Sequence, residues 1–239
     1  MDNILISVVS VSYNCIDNVD KTLNSLLSQT YQDYELIIVD GKSSDGTTEK
    51  IKEYESKFKH LKIISERDDG IYDAMNKGAR LALGKYVYFL NFADIFYDDK
   101  VLETIANRMN SNKDFYYGDA DMYGEIRNYE DKFNLFNFIY LEGMVCHQSI
   151  FTRRELLLKY PFDLSHRLCA DRDFLIKALK DKCTSEYVNI VICTYDTKGL
   201  SAKALKELDE DSDSVSFKHG GLKARIFIYI YKKINELKK

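Results

Sequence analysis

The sequence predicts an α/β protein, with a mostly parallel central sheet flanked by helices, a smaller mixed region, and a C-terminal amphipathic helix. Three observations carry that expectation. Apolar, β-branched runs alternate with helical patterns through about the first hundred residues, as in successive βαβ units. The runs are continuous rather than alternating, which strands covered on both faces require. They also end in polar residues: Leu36-Ile37-Ile38-Val39 leads into Asp40, and Tyr86-Val87-Tyr88-Phe89-Leu90 leads into Asn91-Phe92-Ala93-Asp94.

The elements follow in order. Ile4 to Ser12 reads as the first buried strand, and Asn14 and Cys15 turn the chain. Val19, Leu23, Leu26 and Leu27 recur at helical spacing to about Gln29. Tyr34 to Val39 is a second strand. Ser44-Asp45-Gly46-Thr47 opens a helix striped by Ile51, Tyr54 and Phe58. A third strand at Leu61 to Ser65, a helix from Tyr72 to Leu83 and a fourth strand at Lys85 to Leu90 complete the regular part.

Beyond it the pattern loosens. Val101 to Met109 reads as a helix, Phe115 to Asp119 and Met122 to Ile126 as short strands, and Phe133 to Leu141 has no clear period. Helices at Arg153 to Lys159 and Arg172 to Lys180 precede a strand from Glu186 to Tyr195. Glu207, Asp209, Glu210, Asp211 and Asp213 suggest an acidic loop. From Leu222 a basic amphipathic helix is expected, with Ile226, Phe227, Ile230, Ile234 and Leu237 on one face and Lys223, Arg225, Lys232, Lys233, Lys238 and Lys239 flanking it. Such a helix suits an anionic membrane interface, or docking on the domain or on a second subunit.

Composition narrows the function classes. A net charge of −4 over 239 residues offers no basic field for nucleic acid. The five cysteines are scattered without CxxC spacing, which fits reduced thiols and a cytoplasmic location. Ile4-Leu5-Ile6-Ser7-Val8-Val9 is too short for a signal segment, and no run approaches the ~18 apolar residues of a membrane span.

In an open α/β sheet ligands bind beyond the carboxyl ends of the strands. Carboxylates gathered there suit ribose hydroxyls, base N–H groups or a divalent cation, so a nucleotide bound with a metal is expected. Asp40 precedes Gly41, and Ser44 or Asp45 can cap the next helix, which leaves Asp40 to accept from a base or ribose. Asn14, with the backbone of Val11 and Ser12, can line the same pocket. Glu66 to Gly78 is dense in charge, and Asp73, Asn76 and Lys77 share neighbouring helical positions; either it is a solvated first turn or one of its carboxylates binds ligand. Asp94 alone could hold an ion whose shell is completed by diphosphate and water. His147 precedes an apolar strand and has an ordinary structural reading beside a catalytic one. Asp171 and Asp173 begin a helix, where a carboxylate serves as an N-cap or as an ionised base.

Together these segments resemble the family 2 glycosyltransferases, inverting enzymes with a Rossmann-like GT-A fold that build bacterial surface polysaccharides. The resemblance spans Ser7 to about Ser201. It rests on Val9-Ser10-Val11-Ser12-Tyr13-Asn14, Leu27-Ser28-Gln29-Thr30-Tyr31, and Glu35 through Thr47. It continues in Asp69-Gly70-Ile71-Tyr72-Asp73-Ala74-Met75-Asn76-Lys77-Gly78, Cys146-His147-Gln148, Pro161-Phe162-Asp163 and Asp171-Arg172-Asp173-Phe174.

The resemblance implies specific roles. Asp40 with Ser12 and Asn14 would hold a base and ribose, usually uridine. Asp69 and Lys77 would line the donor pocket, and Asn91 would bond a ribose. Asp94 would reach a divalent cation, Mn²⁺ or Mg²⁺, although the family's Asp-x-Asp is here Asn91-Phe92-Ala93 followed by Asp94. Asp171 would deprotonate the acceptor hydroxyl, with Asp173 as fallback and His147 on the acceptor or diphosphate side. Residues 1–118 would form the donor half, 119–201 the acceptor half of one domain, and 202–239 the tail. The implied partners are a UDP-linked donor and a lipid-linked saccharide acceptor, with the tail touching the inner membrane face or pairing two subunits. A nucleotidyltransferase would instead want a Gly-rich basic loop near the first strand, and Tyr13-Asn14-Cys15-Ile16-Asp17 offers none. A nucleotide-sugar binder that has lost catalysis would have no use for Asp171.

Overall fold

The computed structural model describes residues 4–122, 124–141, 145–196 and 204–236. One sheet organises the chain. Its strands are β1 (Ile6–Ser12), β2 (Tyr34–Asp40), β3 (Leu61–Ser65), β4 (Tyr86–Phe89), β5 (Ile95–Phe96), β6 (Phe115–Asp121), β7 (Ile126–Arg127), β8 (Ile150–Arg153) and β9 (Ser185–Thr194). They lie in the order β3-β2-β1-β4-β8-β6-β9-β5, with β7 on β6. The first four strands are parallel, as expected from their unbroken apolar runs; β1 and β2 are buried throughout.

Helices α1 (Ile16–Leu27), α2 (Thr47–Lys52) and α3 (Ile71–Leu81) connect these strands. Each starts where a strand has just ended, so polar loop residues collect along one edge of the sheet. Helix α3 packs very closely on β1: a Cβ at Gly78 would sit 2.2 Å from Val9 Cγ1, so no larger residue fits without moving the helix. The expected helix through Phe58 is shorter than read, α2 passing into a separate turn at Glu55–Lys57.

The second half closes the sheet. After α4 (Val101–Arg108), β6 pairs antiparallel with β8 and parallel with β9, while β8 runs antiparallel to β4. The strand expected over Met122 to Ile126 is instead the longer β6 followed by the short β7. The 118/119 division falls inside β6, so one sheet crosses it. The two-residue β5, which the sequence reading missed, holds the segment after Asp94 against β9. Phe133 to Leu141 resolves into α5 (Leu135–Tyr140), followed by α6 (Arg154–Lys159) and α7 (Ala170–Lys180).

The tail differs from expectation. Residues read as an acidic loop form the first turns of α8 (Leu205–Glu236), which kinks at Gly221, where φ is 59° and ψ −145°. Three of the acidic side chains have partners: Asp211 contacts His166, and Asp209 and Asp213 pair with Lys232. Among the residues expected to share one apolar face, Phe227 turns inward, with its ring 6.0 Å from Phe136 and 5.4 Å from Tyr140. Leu237 lies outside the described residues. All five cysteines are free thiols.

Candidate active site

Asp40 closes β2 opposite Ser12 of β1. Its carboxylate is fully buried and accepts from Ser12 Oγ at 3.0 Å, Ser43 N at 2.9 Å, Thr48 Oγ1 at 3.0 Å, Ser65 Oγ at 2.7 Å and the Ser43 hydroxyl. Burial disfavours its charge, but these donors outweigh burial and hold its pKa below the ordinary carboxylate value. Asp40 is therefore not the free acceptor expected from the capping argument; it knots the loop ends together. Asn14 is similarly engaged: its Oδ1 accepts from Ser44 N at 2.9 Å, and its own N–H donates to Ser43 Oγ at 2.8 Å.

The charged segment before α3 resolves unequally. Asp69 is exposed, and its N–H donates to Asp73 Oδ2 at 3.1 Å. Lys77 Nζ bonds the Arg67 carbonyl at 2.7 Å and pairs with Glu66 at 3.1 Å and Asp73 at 3.2 Å, so it holds the loop rather than standing open to a ligand. Asp68, which the sequence reading passed over, lies above Gly41: a Cβ there would meet Asp68 Oδ2 at 2.7 Å. Burial raises the Asp68 carboxyl, and the charges of Asp73 and Asp40 add to that.

The end of β4 is strained. Ala93 has φ +92°, a region that favours glycine. Thr22 holds the turn: its Oγ1 accepts from Ala93 N at 3.1 Å and donates to the Asp94 carbonyl at 2.8 Å. Ala93→Gly is expected to stabilise the fold by about 1 kcal/mol. Chemical denaturation reads this directly, and an unchanged midpoint would argue against strain. Within the turn, Asp94 accepts from Asp196 N at 2.8 Å and Gln148 Nε2 at 3.4 Å. Burial pushes its carboxyl up to about 6. Asn91 is buried, with its Oδ1 unpartnered among the described residues.

Those two groups bear on a cation. Among the described residues no cluster of three or more His, Cys, Asp or Glu could hold a metal ion. One carboxylate and one unpartnered amide oxygen do suit an ion whose remaining ligands are diphosphate and water.

Tyr72, Asp171, His147 and Asn91 form a connected chain. Asp171 lies in the first turn of α7 and His147 in a short turn before β8. Asp171 Oδ1 accepts from Tyr72 OH and from Arg172 N, each at 2.9 Å, while Oδ2 lies 3.1 Å from His147 Nδ1. The far ring nitrogen of His147 lies 3.4 Å from Asn91 Nδ2. Burial disfavours charge on both partners, yet the pairing outweighs it, lowering the Asp171 carboxyl and raising the His147 imidazolium relative to their ordinary values. Burial also keeps the Tyr72 hydroxyl protonated, and thus a donor. Tyr72 was missed because its partner lies 99 positions away; only its place beside Asp69-Gly70 in a segment already singled out could have drawn attention to it.

Asp173 is elsewhere. It is fully buried, with its carboxylate paired to Lys177 at 2.5 Å, Lys218 at 2.9 Å and His219 at 2.8 Å. It fastens α8 to α7, and that commitment removes it as the fallback base.

The chain matches the model of the family described as Glycosyl transferase family 2 over residues 7–170. This chain is a family 2 glycosyltransferase. The transferase is 30% identical over 200 residues to a PGL/p-HBAD biosynthesis glycosyltransferase of Mycobacterium bovis, covering 82% of this chain and 78% of that protein. Over 123 residues it is 32% identical to the Escherichia coli UDP-Glc:alpha-D-GlcNAc-diphosphoundecaprenol beta-1,3-glucosyltransferase WfgD, covering 51% of this chain and 48% of that one. Among solved structures, S. aureus TarS 1-349 in complex with UDP-GlcNAc superposes with a TM-score of 0.73 at 19% identity, covering 88% of the transferase and 65% of that chain. The transferase spans 39% of the longer TarS chain that it also matches. The mannosyltransferase PcManGT from Pyrobaculum calidifontis, in complex with GDP-Man and Mn²⁺, gives 0.70 at 16% identity, covering 93% of the transferase and 69% of that chain. These likenesses place the fold in the GT-A class.

Proposed function

We propose that the transferase moves a sugar from a UDP-linked donor to a hydroxyl of a lipid-linked saccharide, with inversion at the anomeric carbon. The observation that carries this reading is Asp171, held ionised by Tyr72, His147 and the Arg172 N–H on the wall of a cavity of about 770 Å³. In the proposed step Asp171 takes the acceptor hydroxyl's proton as that oxygen attacks the anomeric carbon. The bond from that carbon to the diphosphate oxygen breaks on the opposite face, and the nucleoside diphosphate leaves with the electron pair. No covalent intermediate is needed.

The donor is assigned to the strand ends of residues 1–118, where Ser12, Asp40 and Asn14 fix the base-side loops, and Asp68 or Asp69 with Asn91 faces the ligand. The region 119–201 supplies the acceptor side. Asp94 and the Asn91 amide oxygen would hold Mn²⁺ or Mg²⁺, which offsets charge on the departing diphosphate when bound. Names among the relatives support a UDP donor and a diphosphate-lipid acceptor, since WfgD carries both in its description. Titration with UDP, in Mn²⁺ and then in EDTA, tests the donor assignment. Metal-dependent binding lost in Asp94→Ala is expected. Binding indifferent to metal would remove Asp94 from the site, and absence of binding would remove uridine.

Membrane contact is assigned to the far half of α8. Leu222, Ile226, Tyr229, Ile230 and Ile234 are exposed there beside Lys223, Arg225 and Lys233, the combination an anionic interface attracts. No helix among the described residues is long and apolar enough to cross a membrane. Co-sedimentation with phosphatidylglycerol vesicles is expected, and should be lost in Ile226→Asp/Ile230→Asp. A dimer in solution with no vesicle binding would assign the stripe to a second copy instead.

A further inference from the structure

Helix α8 doubles back on itself. Beyond Gly221 its far half returns beside the near half, since Lys232 Nζ lies 3.1 Å from Asp209 and 2.9 Å from Asp213, both on turns before the kink. The corner is seated on α5: a Cβ at Gly220 would meet Ala224 Cβ at 2.6 Å and Ile139 Cγ2 at 2.8 Å. Ala224 and Ile228 are buried and Phe227 packs on α5, so one face of the far half is already docked. At about 3.6 residues per turn, Leu222, Ile226, Tyr229 and Ile230 gather on the opposite face, with Lys223 and Arg225 at its two margins. All four apolar residues are exposed.

The same ion pairs reach the cavity that holds Asp171. Asp209 lines that cavity together with Leu205 and Lys206, so Lys232 ties the returning half to its rim. The exposed stripe therefore runs back toward the cavity mouth rather than away from it. Left alone, the acidic first turns of α8 would be repelled by an anionic surface. Lys232 offsets Asp209 and Asp213, and Lys206 Nζ lies 3.8 Å from Glu210, which partly neutralises them.

We propose that the far half of α8 seats the transferase on an anionic bilayer with the mouth of the Asp171 cavity at the lipid surface, Lys232 fixing that orientation through Asp209 and Asp213. This rests on the assignment of the exposed stripe to a membrane, and deepens it by stating which opening of the protein faces the lipid. An amphipathic helix in an interface buries its apolar face ~5–10 Å into the headgroup boundary, held by cations at its margins. With Ile226 and Ile230 at that depth, the rim residue Leu205, 68% exposed, lies among the headgroups. A hydroxyl carried on a lipid then reaches Asp171 without its lipid leaving the bilayer.

The chain contains no tryptophan, so a single introduced one reports alone. Three variants place it at exposed positions: Ile230→Trp on the stripe, Leu205→Trp on the rim, and Leu83→Trp just before β4, at the amino end of the parallel strands. The probes are phosphatidylglycerol–phosphatidylcholine vesicles carrying a nitroxide-labelled phosphatidylcholine, with thermal midpoints read as folding controls. Emission from Ile230→Trp and Leu205→Trp is expected to shift to the blue and to be quenched about twofold, with Leu83→Trp unchanged. Adding Lys232→Gln should weaken quenching of the Leu205→Trp reporter and leave that of Ile230→Trp; equal loss at both would overturn the orienting role of Lys232. Quenching of Ile230→Trp without Leu205→Trp, or of all three reporters alike, would overturn the proposal and leave the membrane reading standing. No quenching of either α8 reporter, with a dimer in solution, would refute the membrane reading itself and give the stripe to a second copy.

Discussion

Replacing Asp171 by asparagine is expected to slow transfer by roughly 10²–10⁴-fold while leaving UDP affinity within about twofold, because the change removes the proposed general base and little else. Asparagine can keep an oxygen facing Tyr72 OH and Arg172 N–H, so the turn should persist. A second readout separates chemistry from structure. The Asp171 carboxylate raises the His147 imidazolium, so its loss should move the His147 titration to lower pH in an NMR experiment. A variant that keeps kcat within about tenfold of wild type would dismiss Asp171 as the base. An unmoved His147 titration would dismiss the pairing.

Asp173→Ala should behave in the opposite way, destabilising the fold by about 3 kcal/mol with UDP affinity intact in the protein that remains folded. Its carboxylate is fully buried among Lys177, Lys218 and His219, and removing one side of such a group strands the rest. We set the figure at the lower end because Lys177 and Lys218 are 29% and 38% exposed and solvent screens them. The pH dependence follows from a carboxyl held well below its ordinary value, by its ion pairs and against burial. The unfolded chain binds this proton more readily than the folded one. The stabilisation is therefore complete above the ordinary carboxylate value and is lost as pH falls through the folded one. Urea midpoints of wild type and variant should differ by a constant amount near neutrality and converge in acid. Equal stability at pH 7 would show the ionic cluster to be inert.

How much of this was legible in the sequence depends on range. The first four strands and α1 and α3 could be read because a strand buried on both faces must be a continuous apolar run, and a helix against it must repeat every three or four residues. The place of Asp171 at a helix start was legible, and the structure puts it in the first turn of α7. What failed was any judgement of whether a charge stands free. Asp40 was taken as open, yet hydroxyls from four separate residues converge on it. Lys77 was assigned to the donor and is paired within its own loop. The acidic stretch before Asp213 was read as a loop; Lys232, on the same helix beyond its kink, pairs with Asp209 and Asp213, and the His166 ring, outside it, contacts Asp211. Partners that distant leave no periodic trace.

The His147 ring has a consequence for the amide beside it. A neutral imidazole carries a single N–H. When that hydrogen sits on Nδ1 and points to Asp171, Nε2 is a lone pair that receives from the Asn91 NH₂, which leaves the buried amide oxygen on the side away from the ring. If the ring gains a second proton, Nε2 becomes a donor, and the amide must rotate to meet it with its oxygen. The group left on the side away from the ring then changes from acceptor to donor. Asn91 is in this sense a two-position pointer whose setting is dictated by the tautomer and charge of its neighbour, and the species it can greet changes with the proton count of the ring.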